Sequence, residues 1–165
     1  MRKSALFIPL LSACFLLSGC FYSTDDEVSQ RNLTALFDSI EGKDRDALMG
    51  LLAPGKVKEM ADLDSRIDGL FSYYKGEHGT IPDGGSMVSD TNIHGKKTKE
   101  FQTTVDVETS ADVFRCALIW RTRDDFDSGN VGLWSFYIIT KEEFPYDRAY
   151  WGDEKWTPGI NIAVQ

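Results

Sequence analysis

FRCALIWR, residues 114–121, and VGLWSFYIIT, residues 131–140, decide the fold class. In the first run Phe114, Cys116, Leu118 and Trp120 fall on one side of an extended chain, and Arg115, Ala117, Ile119 and Arg121 on the other. The second run is apolar at both odd and even positions, so it reads as a strand covered on both faces. Between them, Asp124 to Asn130 is an acidic turn containing Gly129. Upstream, Phe101, Thr103, Val105 and Val107 alternate with polar residues, and Ser110-Ala111-Asp112 has turn chemistry. Strands joined by such short connections pair antiparallel.

Before these strands the period changes from two to that of a helix. Thr24-Asp25-Asp26-Glu27 reads as a capping box with acids in the first turn. Leu33, Leu36, Phe37 and Ile40 then recur at helical spacing, and Gly42 ends the run. Ala47, Leu48, Leu51 and Leu52 mark a second short helix that Pro54-Gly55 breaks. Leu63, Ile67, Leu70, Phe71 and Tyr74 mark a third, stopping at Gly76. Gly76 to Gly85 reads as a loop. Helices followed by hairpins predict one α+β layer domain, three helices against an antiparallel sheet. The tail from Pro145 carries Tyr146, Tyr150, Trp151 and Trp156 and ends in Pro158-Gly159-Ile160, the start of an expected edge strand. Dense aromatics there are expected to cover the open end of the core, or to offer a stacking surface to a flat ligand.

The first residues belong to none of this. Arg2 and Lys3 precede an apolar run from Ala5 to Leu17 that is too short to span a bilayer, which takes about 20 residues. A basic start, a short apolar middle and small residues describe an export signal. Leu17-Ser18-Gly19-Cys20 resembles the bacterial lipobox, in which the cysteine sulfur takes a diacylglycerol and the chain is cut before it. The expected division is a signal over 1–19, a tether over 20–27 and a single domain over 28–165. Two acyl chains on Cys20 would anchor stably where one holds only reversibly. The expected location is therefore the outer side of a cell membrane.

Cleavage before Cys20 leaves 16 basic against 26 acidic residues, a net charge of −10. That repels phosphate backbones, so no nucleic-acid partner is expected, and it opposes lying flat on anionic lipid. Of three cysteines, Cys14 leaves with the signal and Cys20 takes lipid, so Cys116 is expected to be a buried thiol.

Chemistry-bearing residues are sparse. His78 and His94 each precede a glycine in a polar stretch, and only a meeting of two loops would gather His78, Asp83, Asp90 and His94. A metal site needs three or four converging ligands, so neither metal nor cofactor is expected. Ser86 after Gly84-Gly85 is no nucleophile elbow. Asp106 and Glu108 lie opposite the apolar face of their strand and read as solvated. Of Tyr73 and Tyr74, one is expected to pack and the other to lie at the mouth of the core. Lys96, Lys97 and Lys99 form a basic cluster near a hairpin tip, where an anionic polymer or lipid headgroup could meet it.

The order of helices and sheet resembles the nuclear-transport-factor-2-like cone, related in shape to the ketosteroid isomerase fold. LFDSIEGKDRDALMGLL (36–52), DLDSRIDGLFSYYKG (62–76), GKKTKE (95–100), NVGL (130–133) and PGI (158–160) resemble a family of short Gram-positive lipoproteins known as domain of unknown function 5104. The resemblance implies a bent sheet and surface anchoring, and it brings no catalytic residue. The expected role is a module that holds a small ligand or a surface protein in an apolar pocket lined by some of Phe71, Tyr74, Phe114, Leu118, Trp120, Trp134 and Phe136. The two-faced pattern of residues 131–140 leaves room for a homodimer. The alternative is an acid–base enzyme, which requires a carboxylate or histidine inside the cone.

Overall fold

The computed structural model describes residues 24–82, 84–143 and 157–162. Helix α1 spans Asp25–Glu41, and its capping box forms: Glu27 N–H donates to Thr24 Oγ1 at 3.2 Å and Thr24 N–H to Glu27 Oε2 at 2.9 Å. The fold thus begins inside the stretch expected as tether. Helix α2 spans Arg45–Leu51, with the Asp44 side chain accepting from Ala47 N–H. The expected break at Pro54 is also a beginning, since Pro54 starts an additional short helix, α3, Pro54–Glu59. Proline tolerates the first helical position because its missing N–H would have no partner there. Helix α4 spans Leu63–Tyr73 and buries Leu63, Ile67 and Leu70.

Five strands follow: β1 Ser86–Ile93, β2 Lys96–Glu108, β3 Val113–Asp124, β4 Gly132–Thr140 and β5 Gly159–Ile162. They form one sheet in chain order. The first four are antiparallel as expected, but β5 joins parallel to β4, so the sheet is mixed. β5 is the expected edge strand. Register shifts between Lys99 and Glu100 and between Ile119 and Trp120 mark irregularities that bend a sheet locally.

Leu33, Leu36, Phe37 and Ile40 of α1 and Ile67 and Leu70 of α4 pack with Phe101, Val105, Phe114, Leu118 and Phe136 in one core, each at most 3% exposed. Cys116 lies in the same core, fully buried and unpaired, and burial pushes its thiol pKa well up. Arg66 fastens α4 to β5 by donating to the Ile160 carbonyl at 3.0 Å and Asn161 Oδ1 at 3.1 Å. The α2–α3 corner is fixed to β4 by Ala53 N–H donating to the Leu133 carbonyl at 2.9 Å. At Gly132, φ is +125°, and a Cβ would lie 2.9 Å from the Leu51 carbonyl oxygen, so only glycine allows this approach.

The outer sheet face is also buried near its centre. Ala117, Ile119, Tyr137 and Ile139 are at most 5% exposed. Arg115 lies there at 5% exposure and makes a two-point ion pair to Asp106 at 2.8 and 3.0 Å, with Lys141 on the same carboxylate. Asp106 is therefore paired rather than simply solvated, and Arg115 holds its pKa down to about 2. Both faces of β4 are buried along Ser135–Ile139. The aromatic residues Tyr146, Tyr150, Trp151 and Trp156, and Asp83, lie outside the described residues.

Candidate functional site

The aromatic set expected around a pocket is largely core. Tyr74 stacks on Phe114 with ring centroids 4.8 Å apart, and Phe37 meets Tyr74 at 5.9 Å and Phe136 at 6.3 Å. Tyr74, Phe114, Leu118, Trp120 and Phe136 belong to the buried cluster, and Phe71 packs against it while half-buried. Trp134 stands apart, its ring between Lys56 at 5.6 Å and Arg121 at 5.0 Å. Tyr74 is thus the tyrosine that packs. Tyr73 stays half-buried, its hydroxyl donating to Glu143 at 2.7 Å and accepting from Thr140 N–H at 2.8 Å.

The structure gathers chemistry elsewhere, around His78. His78 pairs with Thr109 in an isolated antiparallel bridge that ties the 76–85 loop to the end of β2. Its ring meets Phe37 edge-on at 6.2 Å. Nδ1 lies 2.7 Å from the Gly79 carbonyl oxygen, and Nε2 lies 3.3 Å from Asp38 Oδ1 and 3.9 Å from Glu41 Oε1. Both ring nitrogens face acceptors, so the protonated imidazolium fits this setting best. Burial presses the ring toward its neutral form, but the Gly79 carbonyl, Glu41 and Asp38 together outweigh it and raise the pKa above the ordinary histidine value. Glu41 also accepts from the Tyr74 hydroxyl at 3.2 Å and from the backbone N–H of His78. Burial, and then the Glu41 charge, push the Tyr74 pKa upward.

Beside this cluster lies a depression of about 400 Å³ lined by Glu77, His78, Gly79, Thr80, Glu108, Thr109 and Ser110. Most of its polar groups are engaged. Thr109 Oγ1 donates toward the Lys75 and Asp112 carbonyls and accepts from Ala111 and Asp112 N–H, and Ser110 Oγ accepts from Glu77 N–H. The exposed carboxylates of Glu77 and Glu108 make no ion pair within 4.0 Å among the described residues. Gly79 N–H bonds the Glu108 carbonyl and Ser110 N–H the Glu77 carbonyl, so the two glutamates are diagonal neighbours across the bridge.

Of the four residues weighed for metal, Asp90 and His94 lie on the β1–β2 hairpin while His78 lies against α1. Among the described residues no group of three or more His, Cys, Asp and Glu is placed to hold a metal ion. The sequence reading missed Asp38 and Glu41 as partners of His78, although one signal was present. Glu41 follows Phe37 by four residues, which puts a carboxylate on the apolar face of α1. Glu77 and Glu108 carry no such mark.

These features define a small α+β domain with a helical layer on one face of a five-stranded mixed sheet and a polar, acid-rimmed depression at the end of β2. The model of the family described as Domain of unknown function (DUF5104) matches residues 35–141, from the middle of α1 to just past β4, and the chain belongs to that family. No match was found among curated proteins.

Proposed function

We propose that this protein is a lipoprotein held to the outer side of a cell membrane by acylated Cys20, with a nuclear-transport-factor-2-like cone serving as a binding module. The ligand is a small molecule or peptide end carrying a protonated amine, seated between Glu77 and Glu108. The observation that carries this reading is the pair of uncommitted carboxylates at a depression whose serine and bridging threonine already bond the protein itself. The acid–base alternative gains less from the same site, because His78 directs one ring nitrogen at Gly79 and the other at Asp38. No free nitrogen is left to move a proton to or from a ligand.

Calorimetric titration with 1,4-diaminobutane at low salt tests the site. Saturable binding is expected, together with its loss in the Glu77→Gln/Glu108→Gln double variant. Equal heats from wild type and double variant would remove the site from consideration. Binding that persists in the variant while His78→Gln abolishes it would redirect the reading to the imidazole.

A further inference from the structure

We infer that the tip of the β1–β2 hairpin is a second membrane contact, seating on the anionic headgroups of the bilayer that holds the acylated Cys20. The inference rests on the anchoring proposed above and adds an orientation to it.

Four large apolar side chains are exposed among the described residues: Met87 and Val88 at the start of β1, and Ile93 and Phe126 at the hairpin tip. The hairpin turns at His94-Gly95, both at positive φ, as a tight two-residue connection requires. Ile93 is 50% exposed immediately before the turn, and Lys96 and Lys97 are exposed immediately after it. Phe126, 51% exposed, joins the tip from the β3–β4 turn, with Lys96 Nζ 5.2 Å from its ring centre. That turn is held in place. Lys97 N–H donates to Asp125 Oδ2 and Asp125 N–H to the Lys97 carbonyl, each at 2.9 Å, while Asp124 accepts from Phe126 and Asp127 N–H at 3.0 Å. Asp125 is engaged by Arg123 at 2.7 and 2.8 Å, so its charge is largely matched. Neither Lys96 nor Lys97 has a carboxylate within 4.0 Å of its ammonium among the described residues.

The anchor emerges at the same end. Asp25, the first residue of α1, forms an ion pair with Lys99 on the hairpin. The tip at Lys96 lies three residues beyond Lys99, a projection of about 10 Å. Thr24 lies four residue steps from Cys20, at most about 14 Å of chain. The acylated cysteine can therefore reach the level to which the tip projects. Basic residues beside exposed apolar ones suit the boundary between headgroups and acyl chains, where Ile93 and Phe126 would find apolar surroundings and the lysines phosphate. A soluble anionic polymer would engage the lysines and leave Ile93 and Phe126 in water. The net negative charge of the domain keeps the remaining surface off the bilayer, so contact is confined to the tip.

The test uses the chain from Cys20 to Gln165, which contains every described element, coupled through the Cys20 thiol to a maleimide lipid. Cys116 is fully buried and stays unreacted. Amide hydrogen exchange is read over residues 93–97 on phosphatidylcholine vesicles with and without phosphatidylglycerol. Exchange slower by about thirty-fold on the anionic vesicles is expected, the weight of two lysines at such a surface. The Lys96→Glu/Lys97→Glu variant should lose that slowing while staying on the vesicles through its lipid. Equal exchange on both vesicle types overturns the contact, and so does equal slowing in the charge-reversed variant. Equal slowing by added polyphosphate on neutral vesicles overturns the choice of lipid. Chemical coupling supplies the anchor here, so absence of natural acylation, read from the mass of the N-terminal peptide of the native chain, registers as a separate failure.

Discussion

β1 and β4 have nearly the same length, eight and nine residues, and opposite surroundings. Every residue of β1 after Ser86 is exposed, whereas Leu133 and all of Ser135–Ile139 in β4 are buried. β1 is held by an unbroken antiparallel register with β2 and by the Ser86 hydroxyl between Ser29 and Thr103, at 2.6 and 2.7 Å. β4 is held by apolar contact on both sides. One strand carries the stability of the sheet, and the other extends it into solvent. Sheet edges that persist in that state are commonly blunted by charge, bulge or cover. β1 has only Asp90 as charge and no register shift.

The largest expected break in this contrast is Phe136→Ala. Phe136 is fully buried in β4, and truncating such a ring leaves a cavity costing about 4 kcal/mol, measurable as a shift in the urea midpoint at unchanged slope. Asp106→Ala comes next. It takes the two-point partner from Arg115, a residue 5% exposed, and should cost about 3 kcal/mol by the same assay. Restoration of stability by Asp106→Asn would contradict the charge pairing.

His78→Gln should cost about 1 kcal/mol, and the cost should depend on pH. The folded pKa of His78 is raised, so its contribution is complete below the unfolded value near 6.5 and is lost as pH rises through the folded value. Wild type and variant should differ in Tm at pH 6 and converge in alkaline solution. A difference that grows with pH would mean that the neutral ring is the stabilising form. The smallest effect belongs to β1. Met87 is 68% exposed, so Met87→Ser should change stability by no more than about 0.5 kcal/mol. A loss of 2 kcal/mol would show that β1 is buried against something in solution.

The same contrast explains what the sequence disclosed. β2, β3 and β4 were legible because each buries at least one face, and burial writes alternation or a continuous apolar run into the chain. β1 left only an indirect mark, a change of period at Ser86 and a hairpin tip near Lys96, since residues exposed on both sides are under no demand to alternate. Helices α1, α2 and α4 followed from capping residues and apolar spacing. α3 was missed because its opening proline reads equally well as the end of α2. The parallel pairing of β5 depends on where the chain returns to the sheet, which strand composition does not encode. At the candidate site, His78 was visible only as a loop histidine. Its partners Asp38 and Glu41 lie 40 and 37 residues earlier and meet it only when the loop folds back on α1. The aromatic residues did converge, but chiefly to build the core.

The role proposed above, outside the cytoplasm, depends on one chemical event, transfer of lipid to the Cys20 sulfur and release of the residues before it. Growth of the producing cell with a radiolabelled fatty acid, followed by isolation of this polypeptide, tests that event directly. Label on the wild-type chain and none on the Cys20→Ala variant is the expected result. An unlabelled wild-type chain that still begins at Met1 would contradict the account.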